Sequence, residues 1–332
     1  MESLHDNSLT PLRVAAVEDG TACGYYRVRL PFEEMRKHGH EMVHARTAYE
    51  FDESWPILVA QRFGYPGFEL EWLKLFRKHA MVWETDDDLW SVDPVNKRAA
   101  KLFTPEFLKG LEFCVRAARL VTVTNDYLAE RMSRFNPNVV VVPNMIDAAL
   151  PKMQRVRREI PTIGWAGGDS HRRDLARIAG PLHRIVRTTD AVVHTIGQDF
   201  TDTLRLPEGR HRHTGWEAKL IKYYAALDFD IGLAPIENTE FTRSKSYIKA
   251  LEYGALGIPV IASDVGPYRE YVEDGVTGFL VRKESEWIDR MQLLIGDPEL
   301  REQMGAAARE KATKHTIAAG WQMWEQAYRQ LV

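Results

Sequence analysis

Apolar residues recur along this chain in short runs, and most of the runs are separated by stretches with helical periodicity. The first runs are LRVAAVE (12–18), EMVHA (41–45), PILVA (56–60), AMVWE (80–84), RLVTVT (119–124) and VVVVP (139–143). Between them, YYRVRLPFEEMRKHG (25–39) reads as an amphipathic helix closed by Gly39, a usual C-cap residue. Residues 67–79, 104–118 and 125–135 read as further helices. Alternating strand and helix predict a parallel, doubly wound sheet, and near-continuous valine runs predict strands covered on both faces.

The pattern pauses at PNMIDAALPKMQRVRREIP (143–161), which carries prolines and a basic run but no clear period. It restarts with TIGWAGG (162–168), a helix to about 188, AVVHTIG (191–197), a helix near 216–226 and FDIGLAP (229–235). A helix from Ser244 follows, then PVIAS (259–263), TGFLV (277–281) and helices near 285–295, 298–313 and 315–331. The expectation is an α/β protein of two Rossmann-like, doubly wound parallel-sheet domains facing a cleft. Ligands of such sheets bind beyond the carboxyl ends of the strands, so the loops after the strands should hold the chemistry.

Bulk composition narrows the function. A chain of 332 residues suits two domains, and 45% hydrophobic with 27% charged residues is a globular balance. A net charge of -3 gives no basis for general nucleic-acid or membrane binding. Two cysteines, Cys23 and Cys114, exclude a disulfide scaffold and fit a reducing compartment. The N-terminal twenty residues show no apolar signal region, and no apolar run approaches the roughly 20 residues a membrane helix needs. The expected location is the cytoplasm.

Four stretches carry candidate chemistry. In SKSYIKALEYGALGIPVIASD (244–264), Lys245, Lys249 and Glu252 follow i, i+4, i+7 spacing on one face of the expected helix, with Tyr247, Ile248, Leu251 and Ala255 on the apolar face. A lysine near a helix N-terminus attracts phosphate, and a carboxylate accepts from a ribose diol. A solvated helix stripe accounts for the same spacing. In IGWAGGDSHRRDL (163–175), Gly167 and Gly168 let backbone approach a ligand, and His171, Arg172 and Arg173 crowd the helix start with donors. The bland alternative there is a tight turn with incidental arginines.

In VWETDDDLWSV (82–92), a strand runs out into Asp86, Asp87 and Asp88, adjacent carboxylates that need solvent, cations or donors. They suit sugar hydroxyls or a proton better than a metal, since no further ligands are spaced around them. In EDGTACGYYRVRL (18–30), Gly24, Tyr25 and Arg27 follow the first strand and are expected at the cleft. His211 and His213 lack the partners of a zinc site. No dinucleotide fingerprint, Walker motif or G-x-S-x-G elbow is present.

The order of these stretches resembles one family. LEYGALGIPVIAS, VGPYREYVEDG and TGFLV within 244–281 resemble the donor-binding region of GT-B glycosyltransferases, specifically the large retaining family 4, the glycosyltransferases group 1. PNMID (143–147) is similar to the PNGVD that closes that family's first domain, and IGWAGGDSHRRDL stands where the family has its first phosphate loop. CGYYRVRLP and ETDDDLW resemble a subgroup with phage and bacterial members. The likeness covers about 140–310 well and 10–140 only in plan.

The resemblance implies an N-terminal acceptor domain (1–147), a C-terminal nucleotide-sugar donor domain (148–314) and a last helix (315–332) crossing back to the first domain. It implies that Glu252 binds the donor ribose, that Lys245 holds the diphosphate, that Gly266 and Pro267 approach the donor sugar, and that His171 and Arg172 serve the phosphate loop. Ser244 stands where the family has a glutamate on the transferred sugar, which puts sugar identity in question. The expected reaction is sugar transfer from a nucleotide diphosphate sugar, UDP- or GDP-linked, to an unidentified hydroxyl acceptor. Retention is expected and no cofactor or metal. Lys245 and Arg172 would stabilise the leaving diphosphate, and Asp87 or Asp88 would orient the acceptor. A non-catalytic nucleotide-sugar binding protein, a GT-B epimerase and a nicotinamide oxidoreductase are the alternatives.

Overall fold

The computed structural model describes residues 10–64, 69–92, 101–155 and 159–332. Within it the chain divides into two units. The first takes the residues up to Trp90, Lys101–Pro143 and Trp321–Val332, and the second is built on Asn144–Gly320.

The first unit holds β1 (Arg13–Val17), β2 (Glu41–Ala45), β3 (Ile57–Gln61), β4 (Ala80–Glu84), β5 (Leu120–Val123) and β6 (Val139–Val141). They form a parallel sheet in the order β2-β1-β3-β4-β5-β6, with Val14 level with Met42 on one side and Ile57 on the other. β3 and β4 are buried throughout, the reason they read as unbroken apolar runs. Leu58, Met81, Trp83, Leu111 and Val121 form the core on one face. The helix after β1 changes pitch: a π stretch, Tyr25–Arg29, precedes the α-helix Leu30–Lys37, and Gly39 terminates it at φ 88°. The C-terminal segment packs within this unit, Trp321 stacking on His38 (4.1 Å) and Tyr328 meeting Phe32 edge-on.

The second unit holds β7 (Thr162–Gly167), β8 (Val192–Gly197), β9 (His211–Thr214), β10 (Ile231–Ala234), β11 (Val260–Ser263) and β12 (Gly278–Val281), parallel in the order β12-β11-β10-β7-β8-β9. Ile163, Trp165, Ile178, Leu182, Ile231 and Met291 lie in its core. The helices Ile248–Ala255 and Pro298–Thr313 pack backbone to backbone. A Cβ on Gly305 would stand 2.2 Å from the Gly257 carbonyl oxygen, and one on Gly254 3.1 Å from that of Ala308.

In each sheet the strand order reverses beside the first strand, so the crevice of an open α/β sheet lies between β1 and β3 in one unit and between β7 and β10 in the other. Four expectations change. The helix expected from Ser244 is two pieces, Glu240–Ser244 and Ile248–Ala255, because Lys245 is extended (ψ 159°). The helix expected over 315–331 breaks into Ile317–Gly320 and Gln322–Arg329. GRHRHTG forms β9, an edge strand paired only to β8, with no apolar run to announce it. The breaks between units fall after Pro143 and after Gly320, where the sequence placed them at 147 and 314. Residues 67 and 68 of the helix read over 67–79, and 156–158 of the basic run in 152–159, lie outside the described residues.

Candidate functional site

In the second unit, β7 ends at Gly167 and a 3-10 turn, Asp169–His171, leads into the helix Arg172–Thr188. Gly167 lies close to its surroundings: a Cβ there would stand 2.7 Å from the Trp165 ring and 3.3 Å from Lys249 Cε. A Cβ on Gly168 would meet only open space, so the turn opens outward at that residue. His171 is buried, its ring edge-on to Trp165 (5.8 Å). Nδ1 lies 2.8 Å from Asp174 Oδ2, and Nε2 lies 3.0 Å from Lys249 Nζ. Asp174 Oδ1 accepts the backbone N–H of Glu237 (2.9 Å), which ties the loop after β10 to the same helix. Burial and the ammonium of Lys249 push the His171 imidazole down to about 4, so the ring is neutral near pH 7.

Lys249 and Glu252 share the helix Ile248–Ala255. Glu252 is buried and accepts the Tyr223 hydroxyl (3.0 Å). Burial and that carboxylate hold the Tyr223 phenol well above its ordinary range. Glu252 is therefore not part of a solvated stripe. Lys245 precedes this helix and sits over the Phe241 ring (4.3 Å), while its charge still reaches His171.

Other expected residues stand elsewhere. Arg172 is exposed and turned to Thr203 (2.9 Å), Asp169 (3.2 Å) and the Phe200 ring (5.1 Å), away from the contact between Lys249 and His171. Ser244 is fully buried and its hydroxyl donates to the Phe241 carbonyl (2.7 Å), closing the last turn of its own helix. Gly266 has φ 44°, and a Cβ there would meet Arg243 Cα at 3.0 Å. Pro267 follows it, buried at the start of the short helix Gly266–Tyr271. The missing side chain of Gly266 lets that helix sit against Glu240–Ser244.

In the first unit the loops after β1, β3 and β4 converge. Gly24 packs on Glu18, where a Cβ would stand 2.1 Å from Oε2. Tyr25 is half-buried against Tyr26 (5.1 Å). Asp86 and Asp87 both accept from Arg62, Asp87 at 3.0 Å, with Cys23 Sγ 3.4 Å from the same guanidinium. Arg62 is thus the cation the acidic run required.

Two assignments are corrected. Asp88 is fully buried, paired with Arg131 (2.7 Å) and capping the Trp90 N–H (3.1 Å), so it cannot orient an acceptor. Arg27 is fully buried rather than cleft-facing: it donates twice to Glu84 (2.7 and 3.0 Å) and to the Val142 carbonyl, beneath the Trp324 ring. Among the described residues, no group of three or more His, Cys, Asp and Glu side chains is arranged to hold a metal ion.

Sequence reasoning left Lys249 undecided and missed Tyr223 and Arg62. The strand-end rule would have found Arg62, which directly follows β3. Tyr223 has no local signal, since its partner is 29 residues away.

Residues 248–311 match the family model of Glycosyl transferases group 1. Over 112 residues the chain is 36% identical to the D-inositol 3-phosphate glycosyltransferase of Corynebacterium diphtheriae, a match that covers 33% of this chain and 25% of that protein. The chain thus spans about a quarter of that relative. Sucrose-phosphate synthase from Thermosynechococcus elongatus superposes with a TM-score of 0.72 at 16% identity, covering 96% of this chain and 99% of the other. Anabaena HepE in complex with UDP-glucose superposes with a TM-score of 0.66 at 14% identity, covering 96% and 98%. No helix among the described residues is long and apolar enough to cross a membrane. Across nearly the whole chain the fold is the GT-B fold of these structures, and within its second unit residues 248–311 are similar to the glycosyltransferases of group 1.

Proposed function

We propose that this chain moves a hexosyl group from a nucleotide diphosphate sugar to an acceptor hydroxyl in the cytoplasm, with retention at the anomeric carbon and without a metal. The observation that carries the reading is the pairing of Lys249 and Glu252 on one helix beside the glycine turn after β7. They stand about 4.5 Å apart along the helix axis, at about 1.5 Å per residue. Glu252 offers acceptor oxygens to ribose hydroxyls, and Lys249 offers N–H donors to a diphosphate. Lys245 adds positive charge at the same edge. UDP-glucose in the HepE structure favours uridine as the base.

In the reaction, the bond between the anomeric carbon and the diphosphate oxygen breaks and the nucleoside diphosphate leaves with the electron pair. The acceptor oxygen bonds to the same carbon from the leaving-group face. Its proton passes to the departing diphosphate, so no protein base is needed. Cationic and N–H groups stabilise the charge that develops on the diphosphate. Asp86 and Asp87, held by Arg62, remain as the acidic groups of the first unit for an acceptor.

The test is thermal stabilisation by UDP, GDP, ADP, dTDP, CMP, NAD and their sugar conjugates, on wild type and Glu252→Ala. A ligand at 100 times its Kd raises stability by roughly 2.7 kcal/mol. A diphosphate nucleotide should shift wild type and lose most of its effect on Glu252→Ala. A response to NAD alone, or to nothing, rejects the reading. The anomeric configuration of the product, by NMR, checks retention, and transfer that stops in EDTA while the fold persists rejects metal independence. Ser244, with no carboxylate where the family has one, favours a non-catalytic binding protein as the second reading. Tight nucleotide binding with neither transfer nor donor hydrolysis would select it.

A further inference from the structure

We propose that His171 is a positioning residue that aims the Lys249 ammonium at the diphosphate of the bound nucleotide, acting as one link in a chain of Lys249, His171 and Asp174. The inference rests on the nucleotide-binding reading above and adds a role that the matching stretch at 248–311 does not contain, since His171 and Asp174 lie outside it.

Hydrogen positions follow from chemistry. An ammonium has donors and no lone pair, so the 3.0 Å contact requires a lone pair on His171 Nε2. The ring proton then sits on Nδ1 and donates to Asp174 Oδ2 at 2.8 Å. Asp174 cannot swing, because its other oxygen accepts the Glu237 N–H. Each link therefore fixes the next. The backbone of the loop after β10 holds the carboxylate, the carboxylate holds the tautomer and tilt of the imidazole, and the imidazole holds the end of a flexible four-carbon side chain.

The stem of Lys249 is confined as well. Cε lies against Gly167, and the ammonium stands 5.9 Å over the Trp165 ring. A charged imidazole would set N–H against ammonium. Burial, Lys249 and Lys245 all oppose that state, while Asp174 favours it. A lysine restrained on three sides loses less side-chain freedom when a diphosphate binds than a solvated one.

A purely structural role, in which His171 only ties the helix start to Asp174, makes a different prediction. Asparagine retains an amide donor near the Nδ1 position and removes the acceptor for Lys249. The experiment measures Kd for UDP and for uridine by calorimetry on wild type, His171→Asn, Lys249→Met and the double variant, with GDP and guanosine run in parallel. Circular dichroism verifies the fold of each. The expected result is a diphosphate-to-nucleoside affinity ratio about ten-fold lower in His171→Asn. The double variant should be no worse than Lys249→Met alone.

An unchanged ratio in His171→Asn, with wild type binding UDP or GDP, overturns the positioning role and leaves the nucleotide site standing. Independent, multiplying losses in the double variant overturn it too, since His171 would then not act through Lys249. Wild type that binds no nucleoside diphosphate overturns the site itself and this inference with it.

Discussion

Arg27→Met removes one half of an ion pair whose members are 0% and 2% exposed. Glu84 would keep the Thr122 hydroxyl as a donor and lose both guanidinium hydrogen bonds. Leaving a buried charge without its partner costs about 3–5 kcal/mol, while replacing both partners by apolar groups is often close to neutral. We therefore expect Arg27→Met to destabilise the first unit by about 4 kcal/mol at pH 7.5. That is a large share of the roughly 5–15 kcal/mol that holds a domain folded. The double variant Arg27→Met/Glu84→Met should recover at least about 2 kcal/mol of the loss.

The sign of the pH dependence follows from the same pair. Burial already raises the Glu84 carboxyl, and Arg27 is the main group opposing that rise. Without Arg27 the folded-state value climbs further above the unfolded one. Stability is then present at low pH and lost as pH rises through the folded value, so the penalty of Arg27→Met should shrink on acidification. Hydrogen exchange of β4 and β5 peptides across a urea series reads the first unit alone. Single variants within about 1 kcal/mol of wild type, or a double variant whose loss is the sum of the singles, would refute the reasoning.

Further outcomes are expected elsewhere. Tyr223→Phe removes one donor to Glu252 and should weaken UDP binding by about 1 kcal/mol, roughly five-fold, read by calorimetry. Gly266→Ala combines φ 44° with a backbone contact at 3.0 Å, and should lower the stability of the second unit by about 1–3 kcal/mol in urea. Gly168→Ala, whose Cβ meets nothing and whose φ is −98°, should leave the urea midpoint unchanged. His171 is held at about 4 in the folded chain against 6.5 in the unfolded one, so its contribution is complete above pH 6.5 and is lost as pH falls toward 4. His171→Asn should flatten that slope in β7 peptides.

Much of the architecture was legible because strands buried on both faces must be apolar throughout, as in PILVA, AMVWE and PVIAS, whereas the valine run VVVVP, expected to be covered on both faces, is the edge strand β6 and only half-buried. β9 escaped for the converse reason: an edge strand with partly buried His211, Arg212 and His213 needs no apolar run. The glycine turn after β7 was legible because backbone that approaches another group tolerates few other residues. Lys249 was ambiguous because spacing alone cannot separate a solvated lysine from one aimed at a histidine 78 positions earlier. The acidic run announced that cations were needed and could not say which, since Arg62 and Arg131 come from separate loops and helices. Arg27 was misread because a charged residue in an amphipathic stretch is ordinarily placed outward.

The π stretch Tyr25–Arg29 explains that misreading, and it also sets a phase. Each residue of an α-helix advances the side chain by about 100°, so a helix that spends one extra residue in a wide turn leaves its two halves out of step by that angle. Tyr26, Arg27 and Val28 point inward on one side of the slip, and Leu30, Pro31, Phe32 and Met35 on the other. The length of the segment between β1 and Gly39 therefore acts as a vernier. Removing one residue near Arg29 would turn the guanidinium by about a quarter turn relative to the later apolar face and take it off Glu84, a lesion of angle rather than of composition.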